Sequence, residues 1–529
     1  MGTTLREKPL WQKLLLPIMA VALVAGFAPT LFAEQAVADE GQLGAAALSE
    51  QSADLSTAAK ATTKNIKVTT DGYMFAAEKT STLVTKGKKA TLRLAYDSQS
   101  FDYAYVGSAA KAAKAAKSKR IKFNTKGDPW YFSIPVTGKT SGKPFTVAFH
   151  SESHDKWYNR YFILDAEAGT LYVCHEDPVA AAKHVDELIA AIQVQERTSE
   201  TDQQCKTAKR AWNKLAKPVR KLMEEYDYFG LNTGSAKKDN PLNADKIKKN
   251  EILVVSFGTS FNNSRVATIG GVEKAIQKAF PKWSVRRAFT AQIIINHIQA
   301  RDGEKIDNMQ QALKRAVANK VQNLVIAPTH LMHGAEYDEM KAMVNKYKKN
   351  FKSVKFAEPL LGKKVNDTTT INADKRAVAK AAVAAAAKDA GYKNQAAMDK
   401  AGVALVFMGH GTSHEANKTY NQMQQQMNKL GYSNVFIGTV EGKPADTACK
   451  AVINKVKKAG YKKVILRPLM VVAGDHANND MADPDDPESW VSQFSKAFKA
   501  KNVDCQIKGL GQIKAVQNVY VKHVKAAIK

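Results

Sequence analysis

Only four cysteines occur in 529 residues: Cys174, Cys205, Cys449 and Cys505. So few exclude a disulfide-dense scaffold, and none of their spacings is that of a cysteine zinc site. Acidic residues are also scarce, 50 Asp and Glu against 79 Lys and Arg, which leaves a formal charge of +29. Beyond the N-terminus, no apolar run approaches the ~20 residues that cross a membrane. A hydrophobic content of 44% with 24% charged residues is that of a folded chain rather than a disordered one. At ~100–200 residues per domain, the length argues for two to four domains. The charge favours polyanionic partners without naming one.

What is present divides the chain into blocks. Residues 1–38 open with Arg6, Lys8 and Lys13, continue apolar from Leu14 to Phe27, and close on Ala36-Val37-Ala38. That is a secretory signal peptide, so the mature chain is expected outside the cytoplasm: extracellular, at the cell surface or periplasmic. No later segment is expected to span a membrane. Residues 39–64 are small and polar and read as a linker. Over 65–170, short alternating runs such as ATLRLAY, WYFSIPV and FTVAFHS predict an all-β module of sandwich type. An Ala/Lys helix, Ala109 to Lys119, interrupts it. Residues 178–230 take helical spacing and resemble the paired-helix spacers of bacterial surface proteins. A second linker covers 231–249. Cys174 and Cys205 flank a helical stretch and are the candidates for a disulfide.

From Glu251 onward, near-continuous Val/Ile/Leu runs alternate with helical patterns, the signature of a parallel sheet covered on both faces. The region also repeats itself: ILVVSFGTS (252–260) matches ALVFMGHGTS (404–413), and NLVIAPTHLMHGAEYDEM (323–340) matches KVILRPLMVVAGDHANNDM (463–481). The expected fold is therefore α/β. Two similar doubly wound parallel-sheet halves, 250–395 and 396–529, follow the β module and the helical spacer.

Such sheets bind ligands at the carboxyl ends of their strands. Three polar residues stand there in the second half: His410 after VALVFMG, Glu441 after NVFIGTV, and His476 after LRPLMVVAGD. The first half carries Phe257 in place of His410, and Ala335 or Glu336 in place of His476, depending on a gap. Each histidine alone reads as well as a structural cap. Two imidazoles and a carboxylate on one edge, in only one of two repeated halves, favour a borderline divalent metal instead.

These segments resemble a family. VVSFGTS, RAFTAQIIINHIQARDG, VFMGHGTSH, GTVEGKP and LMVVAGDHANNDMA together are similar to sirohydrochlorin cobaltochelatase of the anaerobic cobalamin type, a ferrochelatase-like class II tetrapyrrole chelatase. The resemblance covers about 251–529. It implies that His410 and His476 bind metal and accept protons, with Glu441 as the metal-site carboxylate. The implied reaction inserts a divalent metal, cobalt first and iron or nickel as alternatives, into sirohydrochlorin or a related polycarboxylate tetrapyrrole, with no organic cofactor. Ser256, Gly258, Thr259, His330, Arg287 and Gly409 form the expected substrate-binding set. Arg301, Lys443 and Arg467 join Arg287 as candidates for capturing the substrate's carboxylates. An exported tetrapyrrole- or metal-binding protein on the same fold is the alternative. Nucleic acid is not expected for an exported chain without a recognisable motif, and an anionic cell surface is the second partner the charge suggests. In the β module, KWYNRYF (156–162) with His150 and His154 points only to a general ligand- or surface-binding role.

Overall fold

A computed structural model describes residues 61–72, 80–96, 98–364, 367, 369 and 371–529. The segment read as a signal peptide, 1–38, and most of the expected first linker lie outside them. The chain divides into two compact units, one holding residues up to Leu188 with 210–226, the other 189–209 with 227–529. The helical segment expected as a spacer contributes to both. No helix among the described residues is long and apolar enough to cross a membrane.

The first unit is the all-β module. Its strands are β1 (Thr62–Thr70), β2 (Ser81–Lys86), β3 (Lys89–Ala95), β4 (Tyr103–Val106), β5 (Ile121–Lys122), β6 (Tyr131–Pro135), β7 (Ser141–Ser151), β8 (Lys156–Asp165) and β9 (Thr170–Cys174). β1 serves two walls: Thr62–Ile66 pairs antiparallel with β2, and Lys67–Thr70 pairs parallel with β9. The two walls of the sandwich are thereby joined into one sheet, in the order β5-β4-β7-β8-β9-β1-β2-β3-β6. Alternation does the packing. Phe132 and Ile134 of β6 point inward, and Phe132 meets Phe149 of β7 edge to face at 5.3 Å. The expected insert is a helix, Ala109–Lys114, capped by Ser108, followed by the 3₁₀ turn Lys117–Lys119.

The second unit contains two parallel sheets. The strands β10 (Asn250–Ser256), β11 (Ser284–Phe289), β12 (Asn323–Pro328) and β13 (Ser353–Phe356) run in the order β11-β10-β12-β13. The strands β14 (Val403–Gly409), β15 (Val435–Thr439), β16 (Lys463–Pro468) and β17 (Val503–Cys505) repeat that order as β15-β14-β16-β17. Every pairing in both is parallel. The central strands are buried along their length but for Asn250 at the start of β10, as both-face coverage requires. One shared core holds Ile252 and Val254 from β10, Leu405 and Phe407 from β14, and the inner faces of the helices Ala373–Asp389 and Lys514–Ile528. The C-terminal helix returns to the first half, where the Tyr520 hydroxyl donates to the Thr329 carbonyl at 2.8 Å. All four cysteines are free thiols, so Cys174 and Cys205 do not pair.

His297, on the helix Gln292–Asp302, anchors the chain entering this unit. Its Nε2–H donates to the Tyr228 carbonyl at 2.6 Å, and its ring stacks on Tyr228 at 4.0 Å. Burial, aided by Arg301, pulls this imidazole down to about 3. An unfolded histidine titrates near 6.5, so between those values the unfolded chain binds a proton that the folded chain refuses. His297→Gln, which keeps a donor for Tyr228, therefore reports that term. Relative to the variant, wild type should lose up to about 1.4 kcal/mol per pH unit as pH falls from 6.5 towards 4. Denaturant melts of both proteins at several pH values check this; a difference independent of pH refutes it.

Candidate functional site

β14 lies between β15 and β16, so residues leaving these three strands come together at one edge. The β14–β15 ladder runs on beyond its strands: Val440 N–H donates to the Gly409 carbonyl at 2.9 Å, and Glu441 N–H to the His410 carbonyl at 2.9 Å. Glu441 and His410 are thus laid side by side, with Glu441 Oε1 3.6 Å from His410 Nδ1. His476, at the start of the helical turn Ala477–Met481, brings its ring to 4.6 Å from that of His410, edge to face. The structure therefore gathers His410, Glu441 and His476.

Their hydrogen bonds fix the tautomers. His410 Nδ1 lies 2.7 Å from the Gly411 carbonyl, which only accepts, so Nδ1 carries the hydrogen and Nε2 keeps its lone pair. His476 Nδ1 lies 2.7 Å from Asp480 Oδ2, with the same consequence. Such an acceptor behind an imidazole is the usual support of a metal-binding histidine. Asp475, His476 and Asp480 also offer ligand atoms within 4.8 Å of one another. Asp475 accepts from Asn479 Nδ2 at 2.5 Å.

Charge separates the two rings. Burial, with the neighbouring His476, pulls His410 down to about 4, leaving it neutral at pH 7. Burial also works against a His476 cation, but Asp480, Asp475 and Glu441 outweigh it and raise His476. Burial raises Glu441 against the pull of Lys443 and His476.

The first half repeats the backbone without the donors. Ala291 N–H donates to the Phe257 carbonyl as Glu441 N–H does to that of His410, and Thr329 N–H bonds Val255 O as Leu469 N–H bonds Met408 O. Phe257 and Ala291 therefore occupy the positions of His410 and Glu441. Counting seven residues on from Thr329 and Leu469 pairs Glu336 with His476, and no gap is needed. Glu336 is half-buried at the start of the helix Ala335–Tyr347, and burial, with Glu339 and Glu441 nearby, pushes it up to about 7. It is the site residue that the repeat only half revealed.

The other expected residues fall into two groups. Thr259 approaches the second half's site: a Cβ on Gly474 would stand 2.7 Å from its Oγ1, so the glycine lets the loop before His476 pack closely on it. His330 is buried with neither ring nitrogen hydrogen-bonded, and burial pulls it down to about 4. Gly409 ends β14 directly behind His410, against the Tyr420 ring. Ser256 is buried and accepts from Thr329 Oγ1 at 2.7 Å, while Gly258 lies against the Phe289 ring.

The arginines proposed for carboxylate capture are committed elsewhere. Arg287 is buried and holds Glu273 and Asp239, at 2.7 Å each; Arg467 holds Asp389 at 2.7 Å; Arg301 holds Asp302 and the Ser260 carbonyl at 2.6 Å each. Each is already paired with a carboxylate of this chain, which leaves little of its charge for a ligand. Of the four, Lys443 alone is exposed, its Nζ 2.8 Å from Ser413 Oγ. His414 and Thr412 cap the turn after the loop, Ala416 N–H donating to His414 Nδ1 at 3.2 Å.

Residues 250–529 match the family described as cobalt chelatase (CbiK). Over 280 residues the chain is 30% identical to a protein of Salmonella typhimurium named sirohydrochlorin cobaltochelatase, covering 53% of this chain and 97% of that one. It is 27% identical over 284 residues to sirohydrochlorin cobaltochelatase CbiKC of Nitratidesulfovibrio vulgaris, covering 53% of this chain and 91% of the relative. Among solved structures it is similar to SirB from Bacillus subtilis with Fe3+, at 15% identity and a TM-score of 0.38, over 53% of this chain and 96% of that one.

The loop carrying His410 depends on Gly411. Its φ is +94°, and a Cβ there would stand 2.9 Å from Glu441 Cβ and 3.2 Å from Thr439 Cβ. Gly411→Ala is expected to cost about 1–3 kcal/mol and to part Glu441 from His410. Co2+ binding by titration calorimetry should weaken at least tenfold while circular dichroism stays that of wild type. Unchanged Co2+ affinity would contradict the role of this close approach.

Proposed function

The chain belongs to the cobalt chelatase (CbiK) family and is a metal chelatase, and on that footing we propose that it inserts a divalent metal into sirohydrochlorin or a related polycarboxylate tetrapyrrole, with His410, His476 and Glu441 handling the metal. Cobalt is the first choice, and iron and nickel share the same ligand preferences. The observation that carries this reading is the paired tautomer arrangement: both Nδ1 atoms are tied to acceptors, so both Nε2 atoms remain to receive an ion.

Insertion releases two pyrrole N–H protons for each ion taken up. His410, neutral at pH 7, offers its lone pair without first losing a proton. Glu441 adds a negative oxygen beside it and offsets the ion's charge. A carboxyl group near 7 exchanges protons readily at neutral pH, which suits Glu336, across from Glu441, to accept one of those released. The basic side chains that remain exposed, Lys443 among them, attract the substrate's carboxylates.

The same proposal places the mature chain outside the cytoplasm, with 1–38 removed on export, and gives the β module and the basic excess an anionic cell surface as their partner. Intact-mass measurement of the exported protein should find a chain beginning at Asp39. A chain retained inside the cell with Met1 in place would overturn the export reading.

The chemistry is tested by following the absorption spectrum of sirohydrochlorin with Co2+, Fe2+ or Ni2+ and the mature protein. Wild type should convert many equivalents. His410→Ala and His476→Ala should each lower the rate by about a hundredfold or more with the fold intact. Near wild-type insertion by both variants would refute the assignment of these ligands. A spectral change that stops at one equivalent would mean a carrier that takes up or stores its ligand instead.

A further inference from the structure

Beside the His410 loop lies a small cavity with a basic lining that the metal chemistry does not use. Its walls come from the loop after β12 (Met332, His333), the loop after β13 (Leu361 to Lys364), Lys375, and the turn and helix after His414 (Glu415, Thr419). These are the loops that also carry Glu336 and His410, so the cavity opens at the same end of the strands as the metal centre. Three lysines, 363, 364 and 375, stand against one lining carboxylate, Glu415, which Lys364 already pairs. His333 Nε2–H is spent on Glu358 at 2.8 Å. Asp374, next to Lys375 in sequence, is held by Lys522 at 3.1 Å and His523 at 3.2 Å.

Lys375 is the unusual member. Only 2% of it is exposed, and its ammonium donates to one carbonyl, that of Leu361, at 3.1 Å. An ammonium has three N–H donors, and burying it without an anion is costly. Burial pulls it down to about 8, with Asp374 only partly opposing. Lys363, exposed on the rim, adds a second positive group with no ion pair among the described residues.

We propose that this cavity is a carboxylate-binding subsite in which Lys375 and Lys363 hold one peripheral carboxylate of the tetrapyrrole. The proposal rests on the reading of the chain as a tetrapyrrole chelatase. It adds a specificity-determining element: one arm of the macrocycle is gripped on the first half's side while the ring nitrogens face His410, Glu441 and His476. A tetrapyrrole lacking that carboxylate would lose the grip and the orientation it gives.

Fluorescence titration of the full mature protein with metal-free sirohydrochlorin, alongside steady-state Co2+ insertion, tests it. Lys363→Ala lies on the surface and keeps the fold; it should weaken sirohydrochlorin binding roughly three- to tenfold. Lys375→Met should weaken it more than tenfold. For both, the change should fall on KM rather than kcat, Co2+ affinity should stay at the wild-type value, and Lys363→Arg should restore binding. Wild-type KM in Lys363→Ala, with insertion proceeding, overturns the subsite and leaves the chelatase reading standing. No binding or conversion of sirohydrochlorin by wild type overturns both. Acetate at millimolar concentration is the free-anion arm: competition that wild type shows and Lys363→Ala lacks supports a carboxylate site, and identical behaviour of the two counts against it.

Discussion

The site depends on a parallel ladder that does not stop where its strands stop. Two further backbone hydrogen bonds, from Val440 and Glu441 to Gly409 and His410, carry the β14–β15 pairing into the loops. A side chain on a free loop loses its placement to conformational entropy, but Glu441 and His410 leave the sheet still zipped together. Gly411 makes this geometry available, since any Cβ there would strike Glu441. Placement by backbone rather than by long side chains suits a site whose donors must meet one small ion.

The same ladder extension occurs at Phe257 and Ala291 in the first half, where no donor uses it. The duplicated fold therefore supplies two equivalent frames, and only one is furnished with imidazoles. Hydrophobic Phe257 and small Ala291 leave Glu336 as the polar group among the three equivalent positions of the first half. The contrast divides labour between the halves: one presents two imidazoles, His410 held down by burial and His476 raised by the acidic groups around it, the other a carboxyl group that burial pushes up to about 7.

Periodicity made the second unit legible. Unbroken Val/Ile/Leu runs between helical patterns require parallel strands, and the internal repeat requires that both sheets share one order. Once β14 is central, His410, Glu441 and His476 must be neighbours, because each follows an adjacent strand. Glu336 was hidden by an alignment ambiguity that backbone bonds at Thr329 and Leu469 resolve. The arginines failed for a different reason. A guanidinium in a matched motif looks the same in sequence whether it faces a ligand or a buried partner. Arg287 is neutralised by Asp239, 48 residues away, and Arg467 by Asp389, 78 residues away. Pairings at that range are set by tertiary structure, so residue type alone could not tell capture from cohesion.

That distinction also changes what the charge of +29 means. Arg265, Arg286 and Arg287 are all nearly inaccessible, and each meets a carboxylate inside the fold; Arg467 is as inaccessible but pairs with Asp389 at the surface. Removing one partner of a fully buried pair such as Arg286–Glu251 costs about 3–5 kcal/mol, because the other charge is left buried and uncompensated. These arginines belong to cohesion, and the uncompensated excess falls to lysines. Most lysines lie at the surface, where salt screens them. Among the described residues Lys375 is the exception, since it is about as inaccessible as the arginines yet its ammonium bonds only a carbonyl there. A buried cation with no anion among the described residues is where a polycarboxylate ligand gains most by binding, and it stands beside the loops that carry His410 and Glu336.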